Sequence, residues 1–252
     1  MGYFAGVLVP DSRSRATLGR SARLFSAFLT EQSNPDNFYE ILAGDSVDQL
    51  SEFVELPDAL VLDVGGGPGY FRRAFRAAGA RYVSVDSDVG ELAARGSPEP
   101  GSVVGSGMAL PVRDDAVDVC YSSNVLEHVP RPWAMADEML RVTRPGGVVF
   151  LSFTVWWSPW GGHETAPWHL LGGERAARRY ERRTGHPPKN RYGRSLFPVT
   201  VRDTLAWARR SPRGQLVRAL PRYHPWWAAA VVRVPGVREL VTWNLAVVMR
   251  RR

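Results

Sequence analysis

The spacing of apolar positions along this 252-residue chain changes between two periods. Short continuous or β-branched runs over 61–64, 81–86, 102–104, 116–121 and 148–153 predict strands. Between them, segments 70–78, 91–95 and 132–142 carry apolar residues three and four apart and predict helices. Ahead of the first strand, Leu24, Phe25, Phe28 and Leu29 define one helical face. Segment 37–42 and the set Val47, Leu50, Phe53 and Val54 define two more, with a turn at Asn34-Pro35-Asp36. Beyond Phe153, helices are expected over 175–183, 199–209 and 226–232, and strands over 215–220 and 243–249. Arg250 to Arg252 is expected to fray as a basic tail. Strands alternating with helices predict an α/β domain, and this length supplies a full core in one domain carrying an insertion.

The first strand ends in Asp63 and runs into Val64-Gly65-Gly66-Gly67-Pro68-Gly69. Glycines at alternate positions free a strand-to-helix turn of side chains, so main-chain N–H groups can face a ligand. A dinucleotide fingerprint would need a glycine where Tyr70 stands, and a P-loop would need a lysine that is absent. An acid beside the turn disfavours a pyrophosphate and suits a cation. Asp86 closes the second strand roughly twenty residues further on, where a carboxylate can accept both hydroxyls of a ribose.

These residues resemble the first two motifs of class I S-adenosylmethionine-dependent methyltransferases, in the type 11 branch and near its mycobacterial members. The resemblance extends through Gly105-Ser106-Gly107-Met108 and Ser122-Ser123-Asn124-Val125-Leu126-Glu127-His128-Val129, covering about 61–153. It implies a Rossmann-like, mostly parallel seven-stranded sheet with an antiparallel last strand and helices on both faces. It also implies S-adenosyl-L-methionine as cofactor, released as S-adenosyl-L-homocysteine. Asp63, Gly65, Gly66, Gly67 and Gly69 would form its cradle, Asp86 with Ser87 would meet the ribose, and Ser106, Gly107 and Met108 would edge the adenine. Ser106 stands where the branch commonly has an aspartate, which weakens that contact. Ser122, Ser123, Asn124 and His128 would face the donor's amino acid part, with Tyr39 in a lid formed by residues 1–58. The core is expected over 59–153, an acceptor-binding insertion over 154–198, and closing elements over 199–252.

In the insertion, Trp156, Trp157, Trp160 and Trp168 suggest an amphipathic wall for the acceptor, together with His163 and Glu164. His163 is a candidate general base; His128 is a weaker one, better suited to orienting its loop. His163, Glu164 and His169 lack zinc-protease spacing, and no metal is expected.

Charge separates the chain into unlike parts. Residues 1–171 hold 13 basic and 21 acidic side chains, and residues 172–252 hold 19 and 4. A basic last third points to an anionic acceptor or an anionic membrane surface. The single cysteine, Cys120, lies in an apolar run and predicts a buried thiol in a reducing compartment. The apolar stretch 3–9 is too short for a signal peptide, and Gly6 stands where N-myristoylation requires Ser or Thr. The expected location is cytoplasmic, peripheral at the inner membrane face. The expected reaction is O-methylation of a small-molecule or lipid-linked, (glyco)lipid-type acceptor. Nucleic-acid methylation is disfavoured, because no Asn-Pro-Pro-Tyr-type motif follows the fourth strand. A non-catalytic, cofactor-binding role is the remaining alternative.

Overall fold

The computed structural model describes residues 16–31, 33–96 and 100–252. The expectations for the extreme N-terminus lie outside these residues. Seven strands form one sheet: β1 Leu60–Val64, β2 Arg81–Asp86, β3 Ser102–Val104, β4 Val117–Ser123, β5 Thr143–Thr154, β6 Gly214–Pro221 and β7 Asn244–Arg251. Their order is β3-β2-β1-β4-β5-β7-β6. β1 to β5 pair in parallel, whereas β7 runs antiparallel to both β5 and β6. The order reverses between β1 and β4, and in such sheets the ligand crevice lies outside the carboxyl ends of the strands at that switch point.

Helices cover both faces. On one, α1 Leu18–Leu29, α2 Pro35–Leu50 and α3 Arg72–Ala77 pack Leu24, Phe38, Leu42, Leu50 and Phe75 against Val61, Tyr121 and Phe150. On the other, α5 Pro132–Val142 and α7 Val201–Arg210 pack Met135, Met139, Leu140, Val201 and Leu205 against Leu62, Cys120, Val149 and Val247. The short α4 Val89–Leu92 starts at Asp88, whose carboxylate caps the N–H groups of Gly90 and Glu91. α6 Gly173–Thr184 belongs to the insertion, and α8 Val237–Val241 precedes β7.

Three expectations change. The two helical faces expected within 37–54 are largely one helix: Asn34 caps it, Pro35 opens it, and no residue between interrupts the ladder. The strand expected over 148–153 begins earlier, because β5 starts at Thr143 and pairs with β4 through a register shift. Arg250 and Arg251 are not a frayed tail. Both lie in β7, where Arg250 donates to the carbonyls of Gly146 and Phe53, and Arg251 pairs with Asp115 at 3.3 Å. No helix of the described residues is long and apolar enough to cross a membrane.

Candidate functional site

The glycine turn after β1 uses its missing side chains unevenly. Gly65, Gly67 and Gly69 have φ of 78°, 48° and 85°, the left-handed region that favours glycine. A Cβ on Gly65 would fall 2.4 Å from Val125, and one on Gly66 would fall 2.7 Å from Ser84, so those two are closed in by packing. A Cβ on Gly67 would meet nothing within 4 Å. The space over Gly67 is therefore the part of the turn that can admit a ligand, as a cofactor cradle requires.

Asp86 braces this turn. Its Oδ2 accepts the Gly67 N–H at 3.0 Å and its Oδ1 accepts the Asp88 N–H at 2.9 Å. A carboxylate has about four acceptor positions, so a diol can still be held while the turn is braced; Ser87 beside it is exposed. Asp63 lies deeper, 1 % exposed, where its Oδ2 accepts from the Tyr82 hydroxyl. Burial pushes its carboxyl up to about 7. Asp63 thus supports the turn from beneath. Arg72, also buried, donates to the Pro100 carbonyl and to Ser102 Oγ, and so joins α3 to β3.

The remaining predicted cofactor residues surround the same strand ends. Ser106 Oγ accepts the Met108 N–H at 3.2 Å and shapes its own turn. A Cβ on Gly107 would crowd Val64 and Met135. Glu138 and Arg141 of α5 fix the following loop, through the Leu110 N–H and the carbonyls of Leu110 and Val112. Ser122 Oγ donates to the Val64 carbonyl at 2.8 Å, tying β4 to β1. Asn124 adopts φ 57°, a conformation asparagine tolerates, and its Oδ1 accepts from Asn244 at 2.7 Å. Tyr39 stacks on Tyr70 with ring centroids 4.5 Å apart and donates to Glu31 at 3.0 Å. That contact sets α2 over the ring directly following the glycine turn.

The insertion divides the predicted acceptor residues. Trp156 is buried, against His169 and Tyr192. His169 is buried too, with Nε2 on the carbonyls of Trp156 and Ser158, a role in holding the loop. Glu164 accepts from Asn190 at 3.0 Å. Trp157 and Trp168 are exposed, and Arg179 lies 4.0 Å from the Trp168 ring centroid. Trp160 instead joins Phe25, Phe28 and Trp243 in an apolar cavity of about 240 Å³ that reaches Thr154, Tyr223 and Asn244.

His163 comes to Glu127 and His128. One ligand-capable atom from each lies within 4.8 Å of the others. Burial holds the His163 imidazole down, to about 4, against the opposing pull of Glu127, so it is neutral near pH 7. His128 Nδ1 lies 2.7 Å from the Ser195 carbonyl, which fixes that nitrogen as the donor and ties the insertion to the end of β4.

Sequence reasoning missed Glu127, which lies in the Ser122 to Val129 string but carries no spacing that sets it apart from the neighbouring histidine. It also missed Glu31, Tyr223 and Arg222. Arg222 is fully buried and donates to Ser123, Ser152, Ser46 and Tyr121. An arginine just past an edge strand gives no sign of that burial in the sequence.

A family model described as a methyltransferase domain matches residues 62–151. An uncharacterized methyltransferase of Mycobacteroides abscessus is 54% identical over 251 residues, covering 94% of this chain and 96% of its own. One from Mycolicibacterium gilvum is 54% identical over 246 residues, with the same coverage. Among solved structures, an S-adenosylmethionine dependent methyltransferase from Mesorhizobium loti aligns with TM-score 0.55 at 20% identity, over 85% of this chain and 98% of that one, a likeness of fold. The parallel sheet with its inserted antiparallel strand, the side-chain-free cradle braced by an acid, and these relatives agree: the chain belongs to the S-adenosylmethionine-dependent methyltransferases.

Proposed function

We propose that this enzyme methylates a hydroxyl oxygen of an amphipathic acceptor, anionic or lipid-linked, taken from an anionic membrane surface. The observation that carries the reading is the apolar cavity between α1, Trp160 and Trp243. Two of its lining residues are also bonded to the strand-end cluster: Thr154 donates its N–H to Glu127 Oε1, and Asn244 donates to Asn124. An apolar chain or ring seated there would bring its polar end to Glu127, His128 and His163.

The bound cofactor supplies an electrophilic methyl group on a sulfonium. Gly65 to Gly69, Asp86 and Ser87, Ser106 to Met108, and Ser122 to Asn124 hold and orient it, with Tyr39 closing above and Asp63 stabilising the turn. Rate enhancement then comes mainly from holding nucleophile and methyl carbon in line, a proximity effect. His163, neutral and with a free ring nitrogen, accepts the proton from the acceptor hydroxyl, while His128 orients the loop. Residues 154–198 serve as the acceptor-binding insertion and 1–58 as the lid. Exposed Trp157, Trp168, Leu170 and Leu171 beside Arg175, Arg178 and Arg182 supply the apolar and cationic parts of a membrane-facing patch.

Radiolabelled methyl transfer into fractionated cell extract tests this reading. Label should enter the lipid-soluble fraction as a methyl ether, and His163→Ala should lower turnover about tenfold or more while leaving cofactor affinity unchanged. Label entering RNA, DNA or protein alone would reject it, as would an inactive protein that binds cofactor and membranes.

A further inference from the structure

We propose that Glu127, His128 and His163 form a binding site for a divalent transition-metal ion of the zinc class. Three observations converge on it. Glu127 is 1 % exposed, and its Oε1 is used by the Thr154 N–H while Oε2 is buried with no hydrogen-bond partner among the described residues. His163 Nε2 is likewise buried and unpartnered among them. The Nδ1 of His128 is engaged with the Ser195 carbonyl, which leaves its Nε2 as the lone-pair nitrogen. A histidine ligand of a metal is ordinarily set in this way, with its second nitrogen donating to a carbonyl that fixes the tautomer.

Burying a carboxylate oxygen and a ring nitrogen without partners is costly. Here both orphaned atoms belong to residues that, with His128, bring one ligand-capable atom each to within 4.8 Å of one another. Closing to metal–ligand distances of about 2.0–2.2 Å requires small side-chain movements. Two imidazoles and one carboxylate are the donor set of catalytic zinc sites, which leave a further position for solvent or substrate.

The ligands come from two places. Glu127 and His128 follow β4, and His163 arrives from the insertion through a run of short turns. Of the nearest metal-capable groups in the insertion, His169 holds the Trp156 and Ser158 carbonyls through Nε2 and Glu164 accepts from Asn190 through Oε1, and neither joins the cluster of three. In the metal-free enzyme the His163 lone pair takes the acceptor's proton. A bound ion would supply Lewis-acid chemistry, lowering the pKa of an acceptor oxygen so that its proton could pass to solvent. The site shares its location with the proposed acceptor end, but metal binding is measured without methyl transfer, so either reading can fail while the other stands.

The test is titration of the full chain, stripped with chelator, with Zn²⁺ alone by calorimetry, and with Co²⁺ alone by visible absorption. One equivalent should bind, and Co²⁺ should give the intense visible bands of a four- or five-coordinate site. Glu127→Ala and His163→Ala should each weaken binding by at least about tenfold, whereas His186→Ala, at an exposed histidine, should not. His128→Gln, a milder change, should reduce the Co²⁺ bands if either alanine variant fails to fold. Absence of stoichiometric binding overturns the proposal, as does binding that survives these substitutions or falls equally in His186→Ala.

Discussion

The carboxyl of Asp63 lies beneath the glycine turn with Tyr82 as its donor, and burial lifts it to about 7 from an ordinary value of 3.8. Between those values the folded chain holds a proton that the unfolded chain has lost. Stability from this group is therefore full below about pH 4, falls as pH rises toward 7, and is flat above. Asp63→Asn keeps an acceptor for Tyr82 and removes the titration. Thermal melts at pH 5 and pH 8 should show a smaller loss on raising the pH in the variant than in the parent chain. Asp86 acts differently, because it both braces Gly67 and retains acceptor positions. Asp86→Ala should weaken cofactor binding in calorimetry by about tenfold or more, since a hydrogen bond to a charged group contributes roughly 1.5–3 kcal/mol. Gly67→Val should weaken it as well, by filling the one open place in the cradle. Unchanged affinity in both variants would remove the cofactor site from this turn. These two acids looked alike in the sequence, each ending a strand. Only packing separates the buried acid from the accessible one.

At the scale of elements, most boundaries were legible because apolar period, caps and proline positions act locally. The helix expected over 132–142, which Pro132 opens as α5, is an example. The contacts that join elements were not legible. Arg222, just past β6, sends its guanidinium to Ser46 of α2, Tyr121 and Ser123 of β4, and Ser152 of β5. One side chain thereby pins three elements and sets Ser123 at the strand end. Arg222→Leu leaves four hydroxyls without this donor, and denaturant unfolding should register a loss of about 3 kcal/mol or more. The meeting of Glu127 and His128 with His163 was hidden for the same reason. Spacing rules read ligands within a motif, whereas these are brought together by the fold.

For the whole molecule, the charge division seen in the sequence becomes a placement. The arginines of α6 at 175, 178 and 182 line a shallow surface pocket, and Arg179 stacks on Trp168 near exposed Leu170 and Leu171. Vesicles containing anionic lipid should pellet the protein at low ionic strength and release most of it by about 0.5 M salt, as the screening length shrinks toward 3 Å. Neutral vesicles should retain little, and equal retention by both would detach the basic third from membranes. The same global view gives β7 a consequence for biogenesis. It is the last of the seven strands to leave the ribosome, yet it occupies an inner position between β5 and β6. Until residues 244–251 emerge, the backbone flank of β5 lacks its partner and the apolar side chains of both faces stand uncovered. A nascent chain arrested at residue 243 should therefore bind holdase chaperones and be cut rapidly by protease, with protection arising in one step once that strand slots in.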